Sequence, residues 1–123
     1  MTQKTALVTG GGKRLGASLC EALGADGYRV LVHCNASLAE ADAVAGKIRA
    51  AAGDAEVVQF DLAQTDAVTQ FMASAGRVDV LVNSASIFEM DRPEDVTAAD
   101  LDQAMRINLM APVLLSSEMA KAH

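Results

Sequence analysis

Short apolar runs alternate with amphipathic stretches along this chain, with almost no linker between them, and that alternation constrains the fold more than any other feature. Ala6-Leu7-Val8-Thr9, Val30-Leu31-Val32, Val57-Val58-Gln59-Phe60 and Val78-Asp79-Val80-Leu81-Val82-Asn83 have the length and branched side chains of strands. Helices with apolar residues at 3.6-residue spacing lie between them. Leu15, Leu19, Ala22 and Leu23 mark the first, from Leu15 to Asp26, with Gly27 as its stop. Ser37 is placed to N-cap the second, whose stripe is Leu38, Ala41, Val44, Ala45, Ile48 and Ala52 before Gly53. Thr65 caps a shorter third helix that buries Val68, Phe71 and Met72 and ends near Gly76. After a loop from Ser84 to Val96 that contains Pro93, Thr97 and Asp100 make an approximate capping box for a helix beginning at Ala98. Strands that alternate with helices pair in parallel, because each helix returns the chain to the same end of the sheet. With right-handed crossovers this is an α/β protein, part of a doubly wound parallel sheet of about four strands.

The 123 residues are 51% hydrophobic and only 3% aromatic, so the core is built from Ala, Val and Leu. A compact chain of this mass exposes about 6,300 Å² and buries roughly two-thirds of its unfolded surface, enough for a core without staples. Sixteen acidic residues against ten basic ones leave a net charge of −6. That balance argues against nucleic-acid or acidic-membrane partners, which need a basic face. Cys20 and Cys34 are too few for a disulfide framework and belong to no Cys/His cluster, so they read as reduced thiols without metal. No apolar run approaches the ~20 residues of a membrane span, and the N-terminus has no signal-peptide pattern. A soluble, cytoplasmic protein is expected. Residues 1–123 read as one domain without internal repeats. The last helix runs to His123 with no stop signal, so the sheet reads as incomplete and the chain as cut.

Gly10-Gly11-Gly12-Lys13-Arg14-Leu15-Gly16 joins the first strand to the first helix. Glycines there let the backbone turn sharply and let a pyrophosphate approach the helix N-terminus, where free N–H groups and the dipole attract anions. The strict GxGxxG spacing is absent, since Gly10, Gly12 and Gly16 fit GxGxxxG, and P-loop spacing fails as well. The bland alternative is a tight turn and nothing more. Position after a first strand and before a helix favours a Rossmann-like dinucleotide site. A carboxylate at the end of the second strand usually binds the adenosine ribose hydroxyls of NAD. Here that strand ends His33-Cys34-Asn35-Ala36-Ser37. A 2′-phosphate would be repelled by a carboxylate but welcomed by Arg14, His33 and Ser37, so NADP(H) is the expected cofactor. The alternative for His33 is a strand-end histidine making a local bond.

These residues resemble the N-terminal half of a short-chain dehydrogenase/reductase, over nearly the whole chain. Thr9-Gly10-x-x-x-Arg14-x-Gly16 is similar to that superfamily's TGxxxGxG loop, with Arg for the middle Gly. Asp61-Leu62 matches the Asp-apolar pair that contacts the adenine ring. Asn83-Ser84-Ala85-Ser86 stands where the family has Asn-Asn-Ala-Gly, and Asn108 matches the central-helix asparagine of the catalytic tetrad. The resemblance implies cofactor contacts at Gly10, Lys13, Arg14, Leu15, Gly16, His33, Asn35 and Ser37, and further along at Asp61, Leu62, Asn83, Ala85 and Ser86. Arg14 and Ser86 are what pteridine reductases carry at these positions, and Phe88 lies where that group stacks a phenylalanine on the pterin. Substrate contacts at Arg14, Ser86 and Phe88 follow from the resemblance, as does a homo-oligomer, dimer or tetramer. Ala36, where the group often has arginine, and Ser84 depart from the pattern.

Two of these positions are informative without a family. Phe88 stands in a polar loop, where a flat heterocycle could stack on it, or where it covers the sheet edge. Asn108 falls on the stripe Leu101, Met105, Pro112, Leu115, so its amide is expected to be buried and to need partners, either backbone groups or a water relay. The superfamily's YxxxK segment is absent, and the single tyrosine, Tyr28, opens the second strand. An NADPH-dependent reductase is therefore expected when complete, with these 123 residues alone inactive. Its substrate would be a small molecule: a pterin, or alternatively a 3-oxoacyl thioester or another carbonyl compound. A non-catalytic dinucleotide-binding fragment is the alternative of another class.

Overall fold

Each apolar run becomes a parallel strand. A computed structural model describes residues 2–87 and 92–123. The elements are β1 (Thr5–Thr9), α1 (Arg14–Ala25), β2 (Arg29–Cys34), α2 (Leu38–Ala50), β3 (Asp54–Gln59), α3 (Thr65–Ser74) and β4 (Val80–Asn83). A 3-10 turn (Pro93–Asp95), α4 (Ala98–Met105), a π-helical segment (Arg106–Met110) and α5 (Ala111–Ala122) follow. The strand order is β3-β2-β1-β4, parallel throughout.

Period-two alternation along the strands builds two core layers. Val8, Val30 and Val32 meet Cys20 of α1 and Ala41, Val44, Ala45 and Ile48 of α2. Leu7 and Leu31 meet Val68 of α3 and Ile107, Ala111 and Leu115 on the other face. Every residue of β1 is buried, as a central parallel strand requires, while β3 exposes Asp54, Glu56 and Gln59 along the sheet edge.

The expected stripe of α1 is rotated. Leu15 is 68% exposed, and the buried line is Gly16, Cys20 and Gly24. The helix lies too close to its neighbours for larger groups: a Cβ on Gly24 would stand 2.7 Å from Ile48 Cγ2. Leucines spaced along this helix flank the contact line instead of forming it. Helix capping also departs in part from expectation. Thr97 Oγ1 accepts from the Asp100 N–H at 3.1 Å, but Ser37 makes no side-chain capping bond and Gln64 occupies the α3 cap in place of Thr65.

The stripe expected on the last helices is displaced as well. Ile107, Ala111 and Leu115 are buried, whereas Leu101 and Met105 are exposed. The π-helical segment shifts the phase of the helix by its wider turn. Asn108 is consequently exposed, which corrects the expectation of a buried amide. The chain exposes 7292 Å², more than the about 6,300 Å² expected for a compact monomer of its mass. Leu101, Met105, Leu109 and Val113 are among its exposed large apolar residues.

Asp79 ties the start of β4 to the start of β1. Its Oδ2 accepts from the Thr5 N–H at 2.9 Å, its own N–H donates to Thr5 O at 2.8 Å, and Arg77 Nε donates to Oδ1 at 2.7 Å. Arg77 first and the Thr5 amide second hold its carboxyl below the usual carboxylate range. A depressed carboxyl contributes stability that is full above its unfolded pKa and lost as pH falls through the folded value. Asp79→Asn is therefore expected to flatten the acid limb of the stability–pH curve, measured by urea unfolding between about pH 7 and pH 3.

Candidate functional site

The carboxyl ends of β1, β2 and β4 meet around the glycine turn, and main-chain contact sets its shape. Gly10 has φ +62°, and a Cβ there would lie 2.9 Å from Ala85 Cα. A Cβ on Gly16 would lie 2.2 Å from Gly10 O, so the first turn of α1 presses directly onto the loop that precedes it. Thr9, 2% exposed, closes the other side. Its Oγ1 accepts from the Ser84 and Ala85 N–H groups, both at 3.1 Å, and joins the turn after β4 to the end of β1.

A cleft of about 420 Å³ opens over this turn. Gly10, Lys13, Arg14, Leu15 and Gly16 line one wall, and His33, Ser37 and Ser86 contribute to the rest, as expected from the sequence. Gly12, Cys34 and Ser84 also line it, beyond the expected set. Neither Lys13 nor Arg14 forms an ion pair with a described residue. The first turn of α1 carries no acidic residue and no side-chain cap, so its free N–H groups and dipole add to this positive potential. Within a chain of net charge −6, the described residues lining the cleft include two cations and no carboxylate. Arg14 holds a left-handed backbone, φ +49°, at the position where the TGxxxGxG pattern has glycine.

His33 differs from the expected phosphate-binding cation. It is 2% exposed, its Nδ1 accepts from the Gly10 N–H at 3.1 Å, and its Nε2 pairs with Phe60 O at 2.8 Å. With Nδ1 as acceptor, Nε2 carries the proton and the ring is neutral. Burial lowers its pKa, against the smaller opposing effects of the Phe60 carbonyl and the Asp61 charge. The imidazole is wall and brace, and the cationic part falls to Lys13 and Arg14.

Asn35, Asp61, Leu62, Asn83, Ala85 and Asn108 are not among the described residues that line this cleft. Asn35 is exposed on the turn after β2, and its carbonyl accepts from Gln59 Nε2 at 2.7 Å. Asp61 uses Oδ1 to accept from the Ala63 N–H at 2.9 Å, and the Leu62 side chain is core. Asn83 ends β4 and is exposed; Ala85 packs on Gly10. Phe88 lies outside the described residues. Asn108 Oδ1 accepts from the Ile87 N–H and its Nδ2 donates to Ile87 O, both at 2.8 Å. Of the two kinds of partner expected for this amide, the backbone supplies both bonds. The asparagine sits within the π-helical segment, a distortion often found at functional sites. Thr9 is the positioning residue that sequence reasoning passed over, although its place before Gly10 in the loop motif was the available signal.

Comparison with known proteins agrees with this geometry. The model of the short chain dehydrogenase family matches residues 4–123. The chain belongs to the short-chain dehydrogenase family. An uncharacterized oxidoreductase of Methylorubrum extorquens is 38% identical over 98% of this chain and 50% of its own length. A versicolorin reductase of Emericella nidulans is 34% identical over 94% of the chain and 45% of its own length. Among solved structures, FolM alternative dihydrofolate reductase 1 of Brucella canis, complexed with NADP, superposes with a TM-score of 0.84 at 38% identity, covering 97% of this chain and 49% of that one. The chain thus spans about half the length of these relatives.

A left-handed non-glycine residue costs roughly 1–2 kcal/mol. Arg14→Gly is expected to raise unfolding stability by about 1 kcal/mol while removing a cation of this dehydrogenase-family cleft. Chemical denaturation measures the first effect and anion competition the second.

Proposed function

We propose that the chain is the cofactor-binding half of an NADPH-dependent reductase that delivers hydride to a pterin-like substrate. One observation carries the cofactor reading: Lys13 and Arg14 face the cleft without ion-pair partners among the described residues, and β2 runs into Cys34-Asn35-Ala36-Ser37 without a carboxylate. A ribose phosphate gains charge-assisted bonds there, and the uncapped Ser37 hydroxyl at the start of α2 adds a donor. The glycine approach at Gly10 and Gly16 leaves room for a pyrophosphate against the α1 N-terminus. The wall residues fit a dinucleotide phosphate in charge and in space. The NADP in the Brucella canis relative supports this choice.

When bound, the reduced nicotinamide supplies the hydride. This chain's part is to bind and orient. Asn83, Ala85 and Ser86 would hold the nicotinamide end, and Asn108 holds the Ile87 main chain. The accompanying proton needs an acid, and Tyr28 is not placed to give one. It precedes β2, at the opposite end of the sheet from the cleft. These 123 residues alone are expected to bind NADPH without turning it over.

The pterin reading is supported by Arg14, Ser86 and Phe88 and by the similarity to the alternative dihydrofolate reductase of Brucella canis. The similarity to versicolorin reductase favours the second reading, a carbonyl compound other than a pterin, such as a 3-oxoacyl thioester. A homo-oligomer is part of the proposal, since Leu101, Met105, Leu109 and Val113 leave an apolar stripe that a second copy would cover.

Arg14→Ala should weaken NADPH about tenfold or more, in the range of a lost charge-assisted bond, and NADH much less. Equal weakening in fluorescence titrations would remove the 2′-phosphate assignment. Phe88→Ala in the complete enzyme is expected to raise the KM for dihydropterin substrates with little change for NADPH. An unchanged KM would favour the carbonyl reading.

A further inference from the structure

His33 joins the glycine turn to the segment after β3 through separate atoms. The ring Nδ1 takes the Gly10 N–H and the main-chain O takes the Gly11 N–H at 2.9 Å, so two successive amides of the glycine turn are held by one residue. On the other side Nε2 holds Phe60 O, immediately before Asp61. The ring also lies 4.5 Å from the Phe60 ring, which stacks at 4.6 Å on Phe71 of α3. From these bonds we propose that His33 is a positioning residue that latches the glycine turn to the Asp61 corner, and that the latch exists only while the imidazole is neutral. This rests on the dinucleotide reading of the cleft.

The reason is donor count. A neutral ring with its proton on Nε2 offers one acceptor and one donor, which match the Gly10 N–H and the Phe60 carbonyl. A second proton on Nδ1 would face the Gly10 N–H with another donor, and the turn must then move away. The charged groups nearby pull in both directions. Asp61, beyond Phe60, favours the added proton. Lys13 and Arg14, across the glycine turn, oppose it. Thr9 of β1 and Val58 of β3 bring no charge, nor do Val32 and the Cys34 thiol on either side of His33 in β2, and Phe71 behind Phe60 brings none. Burial keeps the ring neutral at physiological pH and makes the change an acid-side event. Cofactor affinity therefore falls when this one ring gains a proton, through the turn it holds.

Nitrogen-15 NMR of the cofactor-free protein tests the latch, and NADPH titration by fluorescence tests its consequence. At neutral pH His33 should show a bare Nδ1 and a protonated Nε2, and the Gly10 amide should shift in step with His33 as the pH falls. His33→Leu should bind NADPH about tenfold more weakly, the scale of a buried donor left unpaired. His33→Asn, with an amide oxygen near the place of Nδ1, should recover most of that loss without the wild-type fall in affinity as the pH drops below the ordinary imidazole value of 6.5. The opposite tautomer, an indifferent Gly10 amide, or a folded His33→Leu that binds as wild type would overturn the proposal. If His33→Leu does not fold, the tautomer and the Gly10 shift decide alone. A wild type that binds no NADPH at any pH removes the dinucleotide reading and the link to affinity, while the resonances still decide whether the latch exists.

Discussion

The structure depends on how closely the first turn of α1 approaches the end of β1. No atom larger than hydrogen fits between Gly16 and the Gly10 carbonyl, where a Cβ would stand at 2.2 Å. That approach sets the height of α1 above the sheet, and with it the line Gly16, Cys20, Gly24 along which the helix packs. It also aims the free N–H groups of α1 over the carboxyl ends of the strands, where crevices of doubly wound sheets bind ligands. Packing and binding thus share one origin. The same closeness buries the Cys20 thiol beneath the loop and pushes its pKa up to about 12, so it is a packing group without nucleophilic character.

Sequence periodicity carried the architecture well. Alternating apolar runs required parallel strands, but right-handed crossovers alone leave their order open, and the structure supplies it as β3-β2-β1-β4. Periodicity failed wherever contact distance decided the outcome. Leu15, Leu19 and Leu23 look like a buried stripe because hydrophobicity ranks leucine above glycine, yet α1 packs too tightly to admit them in the contact line. Asn108 was misplaced for another reason: an apolar stripe extrapolated at 3.6 residues per turn cannot foresee a π-helical turn. The residues of the glycine turn were legible because a charge placed beside glycines at a helix start has few other uses. His33 was legible as a site residue and illegible in its role. A sequence gives no sign of which partners a ring nitrogen meets, and both of its nitrogens turn to main-chain groups.

Main-chain bonding recurs throughout this cleft. Thr9 holds the Ser84 and Ala85 amides, Asn108 holds both polar groups of Ile87, and His33 holds the Gly10 amide and the Phe60 carbonyl. Three polar side chains from three separate elements thus fix the backbone of the loops at the strand ends. Loops braced in this way keep their shape without a hydrophobic core of their own. Lys13 and Arg14 stay unpaired among the described residues and are left available to a ligand.

The two borders of the sheet are not alike. β3 presents Asp54 and Glu56 to solvent, and Arg29 pairs with Glu56 across the neighbouring strand. Those charges resist the addition of another strand. β4 presents Val80, Leu81 and Val82, half covered, beside a groove of about 440 Å³ formed with Ser116, Met119 and His123. The two borders therefore differ in what a further strand would meet: branched apolar side chains along β4, and carboxylates along β3.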